Sequence, residues 1–198
     1  MIENISIKIS NLAWGNEDVE ILFDEEKVYY SAGYCGSDPL GDLIKIAAYF
    51  VHNKSDNYGG HCCVNWDGEP GNMNLSVTCD EVDKEILHID VSETGDFVDP
   101  ETNHPWTQDD NYHFDVPLEV FKKAVVKEAI RVLKDYGVRG YAGSWCDGMD
   151  TFPVTSLLVL LGDTTRFDEE SDSFRSNIHD ELKLLLSAIV NDVSDREA

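Results

Sequence analysis

Apolar and polar residues alternate along the first part of the chain with the period of a half-buried strand. Ile5, Ile7 and Ile9 are separated by single polar residues, and a period of two places all three on one face of a strand. Residues 19–23 and 28–34 are two further apolar runs, joined by a charged turn. The pattern therefore predicts three consecutive strands.

The period changes to that of a helix after Asp38. An N-cap carboxylate followed by Pro39 is a typical helix start, and we expect the helix to end near Asn53. Its apolar residues recur at helical spacing on one face: Leu40, Leu43, Ile44, Ala47, Ala48 and Val51.

A second set of strands is predicted at residues 62–66, 72–79 and 85–91, the last two forming a hairpin. Alternation along this hairpin defines two faces. The apolar face holds Leu75, Val77, Cys79, Leu87, Ile89 and Val91, and the polar face holds Ser76, His88 and Asp90.

Residues 94–115 are polar, acidic and interrupted by two prolines, so they predict a long loop. A helix follows from about residue 116 and closes at Gly137. Its apolar stripe is Leu118, Phe121, Val125, Ala129, Val132 and Tyr136.

The last third combines a glycine-rich connector with two helical patterns. Residues 153–161 favour a short helix, with a strand as the alternative, and residues 163–172 predict an acidic loop. A final helix is expected over about 173–192. Its apolar face is Phe174, Ile178, Leu182, Leu185, Leu186 and Ile189.

These elements predict one α+β domain over residues 1–198, with an antiparallel sheet of about six strands packed by two or three helices. The order β-β-β-α occurs twice, in 1–55 and 60–137, and both helices begin with a Pro-Leu pair. A duplication with a C-terminal helical part at 150–193 is one interpretation. The other is that any two helices starting after proline share such a stripe.

Charge narrows the classes of partner. The chain has 39 Asp and Glu against 15 Lys and Arg, a net charge of −24, and no Lys or Arg between Lys84 and Lys122. We expect no binding to nucleic acid or anionic membrane, which need the opposite sign, and we expect attraction to cationic surfaces. No run approaches the roughly 20 apolar residues of a membrane span.

Five cysteines without a disulfide spacing, and no basic and apolar leader at the start, predict free thiols in the cytoplasm. A zinc site is one interpretation of four residues: His61, Cys62, Cys63 and Cys79. Two observations argue against it: neighbouring cysteines on a strand point to opposite faces, and the sequence contains no C-x-x-C motif. We therefore expect no metal and no cofactor. Cys146 lies in anionic surroundings that oppose thiolate formation, which favours an unreactive loop cysteine.

The acidic segment 99–115 offers two kinds of site. His104, Asp109, Asp110 and His113 have the chemistry of general acid–base groups or ligands of a divalent ion. Acid mixed with aromatic residues also suits docking of a basic protein. The predicted docking residues are Asp96, Asp99, Glu101, Trp106, Asp109, Asp110 and Tyr112.

The motif D-P-L-G-D-L at residues 38–43, followed by Trp66 and E-P-G at residues 69–71, resembles a pattern in uncharacterised bacterial proteins, some similar to immunity proteins of toxin systems. The resemblance covers about residues 19–93 and implies no activity. The leading hypothesis is a non-enzymatic acidic protein, immunity- or inhibitor-like, that binds a basic protein. The alternative is an enzyme or divalent-ion binder using the segment 99–115, and the oligomeric state stays open.

Overall fold

The computed structural model of this chain describes residues 1–13, 16–32, 37–53, 60–68, 71–80, 83–98, 105–107, 111–144, 151–162, 165–168 and 173–194. Within them the strands are β1 (Ile5–Ala13), β2 (Asn16–Phe23), β3 (Glu26–Ala32), β4 (His61–Asp67), β5 (Gly71–Cys79), β6 (Ile86–Val98), β7 (Pro105–Thr107), β8 (Asn111–Pro117), β9 (Arg166–Asp168) and β10 (Ser173–Arg175). The helices are α1 (Pro39–His52), α2 (Leu118–Gly143), α3 (Val154–Gly162) and α4 (Ile178–Ser194).

The predicted α+β class is confirmed, but the strands do not form one sheet of about six. A first antiparallel sheet has the order β1-β2-β3. A second has the order β4-β5-β6, with both β7 and β8 pairing with β6. β9 and β10 form a separate hairpin.

Helices α1 and α2 join the two sheets into one packed unit. α1 contacts β2 of the first sheet and β4 of the second, while α2 contacts β1 and β8. The buried apolar residues form a single cluster to which both sheets and helices α1 to α3 contribute. None of the helices in the described part of the chain is long and apolar enough to cross a bilayer.

Helix α1 begins and ends where the sequence predicts. Asp38 Oδ1 accepts the backbone N–H of Gly41 at 2.7 Å, Pro39 is the first helical residue, and Asn53 caps the C-terminus. Each member of the predicted stripe is buried except Val51, which is half-buried. The helix therefore follows from its cap and its apolar period.

The β5–β6 hairpin has the predicted register. Leu75 lies opposite Val91 and Val77 opposite Ile89, and all four side chains are buried. The intervening residues, Ser76 and Thr78 on β5 with Asp90 and His88 on β6, consequently face solvent on the other side.

The predicted loop 94–115 is wrong over much of its length. β6 continues to Val98, and β8 pairs with β6 from Ile86 to Ser92. Tyr112, Phe114 and Val116 alternate with polar residues in β8, and Phe114 stacks on Phe23 with ring centroids 3.9 Å apart. Period-two burial against the first sheet thus outweighs the acidic composition that predicted a loop.

Helix α2 is longer than predicted. Gly137 adopts φ 67°, which interrupts the helix, but helical geometry resumes and continues to Gly143. This extension brings Tyr141 into the core, where it is fully buried. Tyr136 was predicted in the buried stripe and is instead 41 % exposed, because the turn at Gly137 ends the regular face there.

The C-terminal part confirms α3 and corrects α4. The β9–β10 hairpin occupies part of the predicted acidic loop and of the predicted helix start, so α4 begins at Ile178. Leu185 and Ile189 pack against the core, whereas Ile178, Leu182 and Leu186 are exposed. α4 therefore contacts α2 and α3 through only part of its apolar face.

Candidate functional site

The solvent-facing side of the second sheet is polar over three successive rows, and beyond them Ile86 of β6 lies opposite Pro117 of β8. Its outward residues alternate with buried ones such as Leu75 and Ile89. Three successive rows cross β4, β5, β6 and β8: His61, Thr78, His88 and Asp115; Cys63, Ser76, Asp90 and His113; and Asn65, Asn74, Ser92 and Asn111. Two imidazoles and two carboxylates thereby meet on the adjacent strands β6 and β8.

His88 lies between two carboxylates. Its Nδ1 is 2.7 Å from Asp115 Oδ1 and its Nε2 is 3.3 Å from Asp80 Oδ2. The hydrogen bond with Asp115, supported by Asp80, raises the pKa of His88, although partial burial opposes the rise. In its charged form the ring donates to both carboxylates.

His113 repeats this arrangement one row away. Its Nδ1 is 2.7 Å from Asp90 Oδ1, and its Nε2 is 3.4 Å from Asp115 Oδ1. The hydrogen bond with Asp90 raises the pKa of His113, and the bond from His88 lowers the pKa of Asp115. The two imidazole rings stack with centroids 6.0 Å apart.

Asp115 is the common partner of both rings. One ligand atom from each of His88, His113 and Asp115 lies within 4.8 Å of the other two. Two imidazole nitrogens and a carboxylate oxygen are a donor set that divalent transition metals accept. The three side chains sit on an open sheet face and are 31 %, 59 % and 46 % exposed, respectively. An enclosed, water-free reaction site is therefore not formed by these groups.

The residues predicted from the acidic segment are only partly described. His113 lies in the cluster, while Tyr112 alternates to the other side and stacks beside Phe114. In backbone pairing, Asp96 lies opposite Thr107 and Trp106 opposite Phe97. The remaining predicted residues lie outside the described part of the chain: Asp99, Glu101, His104, Asp109 and Asp110.

Sequence reasoning did not assign a site role to His88, Asp80, Asp90 or Asp115. The predicted hairpin register already placed His88 and Asp90, two members of the cluster, on one polar face. The other two members, His113 and Asp115, lie beside them only because β8 pairs with β6, so the cluster could not be predicted without identifying β8 as a strand.

The cysteines of β4 face as predicted. Cys62 lies opposite Val77 on the inner side and is half-buried, whereas Cys63 lies opposite Ser76 and is exposed. Burial raises the pKa of the Cys62 thiol, which disfavours the thiolate that binds zinc. Cys146 lies outside the described residues.

Two buried carboxyl groups lie at the start of α1. Glu17 Oε1 accepts the Leu40 N–H at 2.9 Å, and Asp38 Oδ1 accepts both the Gly41 N–H and the Tyr141 hydroxyl. Burial, followed by repulsion from Asp38, raises the pKa of Glu17 well above its usual range, and burial also raises that of Asp38. These acids position a helix terminus and are sealed from solvent.

A groove of about 350 Å³ lies elsewhere, between the end of α1, Lys122 of α2 and the end of α3. The described residues that line it are Val51, His52, Lys122, Val159, Leu160, Leu161 and Gly162. None of these lining residues is Asp or Glu, so among the described residues no carboxylate lines this groove.

No family model, curated protein or solved structure matches this chain. The resemblance to immunity-like proteins thus stays a prediction.

Proposed function

We propose that this chain is a non-enzymatic binding protein whose acidic second sheet engages a basic protein, as an immunity or inhibitor protein does. The supporting observation is the charge carried by that sheet. From His61 to Pro117 the sequence holds fourteen Asp and Glu, four His and a single Lys or Arg residue, Lys84.

Strand pairing concentrates this charge. Because β6 pairs with both β7 and β8, the described strands of the stretch 85–121, which contains no Lys or Arg, lie side by side. On the described face, Asp90 and Asp115 are 57 % and 46 % exposed. Each forms a hydrogen bond with an imidazole, so the two carboxylates add to the negative potential when these rings are neutral. Charges of one sign gathered on one surface add their potentials and steer an oppositely charged partner.

Aromatic residues supply the affinity that exposed charges lack. Trp106 and Phe97 lie opposite one another in the β6–β7 pair, and the acidic residues Asp99 and Glu101 lie between them in the sequence. Aromatic side chains surrounded by polar ones are common energetic centres of protein interfaces. The proposed docking set is Asp96, Asp99, Glu101, Trp106, Asp109 and Asp110. Tyr112 leaves the predicted set, because its side chain packs on the inner side beside Phe114.

The test compares two triple variants with equal loss of charge. One is Asp96→Asn with Asp99→Asn and Glu101→Gln, and the control is Glu3→Gln with Glu25→Gln and Glu26→Gln, which lie at the first sheet and are exposed. Binding of a synthetic Lys- and Arg-rich peptide would be measured by calorimetry at about 20 mM and about 500 mM NaCl.

We expect salt to weaken binding and the first triple variant to lose several-fold more affinity than the control. Trp106→Ala should weaken binding at both salt concentrations, because its contribution is not screened. Equal losses in the two triple variants, or affinity independent of salt, would contradict a docking site on the second sheet.

A further inference from the structure

Beyond docking, we propose that His88, His113 and Asp115 bind one divalent transition-metal ion, with Asp80 and Asp90 orienting the two imidazoles. This set differs from the predicted loop ligands, of which only His113 is shared. The sequence predicted no metal site, but that prediction was based on cysteine spacing and did not consider the pairing of β6 with β8.

The direction of the ring nitrogens supports the site. Each imidazole turns one nitrogen toward Asp115, with His88 Nδ1 at 2.7 Å and His113 Nε2 at 3.4 Å from Oδ1. The opposite nitrogens face Asp80 Oδ2 at 3.3 Å and Asp90 Oδ1 at 2.7 Å. A histidine that ligates a metal typically donates its other N–H to a carboxylate, which fixes its tautomer and orientation.

The spacing is close to that of a coordination sphere. Ligands about 2.0–2.1 Å from a tetrahedral zinc ion lie about 3.4 Å from one another. The His113–Asp115 separation already has this value, and the His88–Asp115 pair has to open by less than about 1 Å as an ion replaces the shared proton. Exposed side chains on two strand surfaces allow a movement of this size.

The donor set also defines the class of ion. Two imidazoles and one carboxylate suit Zn²⁺ and its neighbours, whereas Mg²⁺ and Ca²⁺ prefer oxygen ligands alone. Three protein ligands leave a fourth position open on the solvent side of the sheet. Water, or a donor group from another molecule, would complete the coordination there.

The measurement is zinc titration of the untagged protein by calorimetry, with excess Mg²⁺ present to occupy the general acidic surface. We expect one zinc per chain with micromolar affinity, and a Co²⁺ absorption spectrum typical of nitrogen ligation. His113→Gln, at a 59 % exposed position that should tolerate the change, is expected to weaken binding about tenfold or more. Asp90→Asn should weaken it about tenfold through loss of ring orientation.

His61→Gln is the matched control, because His61 lies on the same face in the row of His88 but contacts Ser76 Oγ at 3.1 Å. It should leave zinc affinity unchanged. Absence of stoichiometric zinc uptake, or uptake that His113→Gln leaves intact, overturns the proposal. Loss of uptake in an Asp109→Asn and Asp110→Asn double variant also overturns it, since the ion would then belong to the acidic segment 99–115.

Discussion

A Cβ atom added to Gly41 would lie 2.0 Å from Asp38 Oδ2, well inside van der Waals contact. Asp38 has little freedom to move away, because its other oxygen caps α1 at the Gly41 N–H and accepts the Tyr141 hydroxyl. The glycine of the D-P-L-G-D-L motif therefore follows from the geometry of the cap and requires no functional role.

Gly41→Ala should destabilise the protein by about 1–3 kcal/mol, since overpacking beside a fixed carboxyl outweighs the better helix propensity of alanine. Gly140→Ala is the matched control in α2, where the added Cβ would make an ordinary 3.6 Å contact with Tyr136. Urea unfolding monitored by circular dichroism measures both. A Gly41→Ala variant as stable as the control would contradict the close approach.

Glu17 makes stability depend on pH. Burial raises its pKa above the ordinary 4.5, so the folded state holds a proton that the unfolded chain releases. The stability that protonated Glu17 contributes is therefore fully present below pH 4.5 and is lost as the pH rises through the folded-state pKa. Glu17 Oε2 has no hydrogen-bond partner among the described residues, which adds to the cost of ionisation.

Glu17→Gln removes this ionisation while keeping an oxygen for the Leu40 N–H. At about pH 8 we expect the variant to exceed the wild type by about 1–3 kcal/mol in the free energy of unfolding, and to lose less stability between about pH 5 and pH 8. Glu20 has 37 % of its side chain exposed, and Lys27 lowers its carboxyl pKa, so Glu20→Gln should not reduce that loss. Identical pH profiles for wild type and Glu17→Gln would refute the assignment.

At the scale of elements, a pair of side chains on α2 covers the free edge of the first sheet. Glu128 Oε1 accepts the Ile9 N–H at 2.6 Å, and the Arg131 guanidinium donates to the Ile9 carbonyl at 2.7 Å. β1 is an edge strand, and an unpaired strand edge invites association with other chains. The Glu128–Arg131 pair therefore serves as a partner for this edge and docks α2 on β1.

Arg131→Met should destabilise the protein by about 3 kcal/mol, because Glu128, with 6 % of its side chain exposed, would keep a buried charge without its partner. Arg139→Met, at an exposed position of the same helix, should change stability by no more than about 0.5 kcal/mol. Chemical denaturation of both variants gives the comparison. Equal effects would show that the Glu128–Arg131 pair adds nothing to docking.

Elements with strong local signals were predictable, and those that depend on distant partners were not. The cap at Asp38 and the alternation from Asn72 to Val91 define α1 and the β5–β6 register without reference to the rest of the chain. β8 was not predicted, because its outward residues Asn111, His113 and Asp115 are also typical of a loop. Its inward Phe114 meets its stacking partner Phe23 only in the folded chain. The exposure of part of α4 was not predicted, because periodicity identifies the apolar face of a helix but does not show how much of that face other elements cover.

The same limit applies to the candidate site. His88 and Asp90 were placed on one polar face by local register, but Asp115 reaches them only through the β6–β8 pairing. His104 and Asp109 were predicted as site residues because they are close together in the sequence. The sequence does not show which residues are neighbours across paired strands. Ligand sets built across strands require the topology first.

For the whole molecule, the net charge of −24 opposes compaction. Like charges repel less as the screening length falls, from roughly 30 Å at 0.01 M salt to roughly 3 Å at 1 M. Screening should therefore stabilise the folded state, in contrast to proteins that depend on surface ion pairs.

We expect the melting temperature to rise with NaCl between about 10 mM and about 500 mM, since a gain of about 1 kcal/mol corresponds to about 2–4 °C at this size. A variant with Glu3→Lys, Glu25→Lys and Glu26→Lys carries less negative charge and should respond less to salt. Calorimetric melting measures both proteins. A melting temperature that is unaffected by salt would contradict repulsion as a cost to the fold.

The Tyr30 hydroxyl lies 2.6 Å from the Trp66 carbonyl and 2.8 Å from the Gly71 carbonyl, so a side chain of the first sheet joins the end of β4 to the start of β5 in the second sheet. Burial raises the pKa of this phenol to about 12, and it remains a donor under ordinary conditions. Neither sheet on its own supplies both sides of this junction. Residues 1–55 and 60–137, separately expressed, should accordingly remain unstructured, and the intact chain should melt in a single cooperative step.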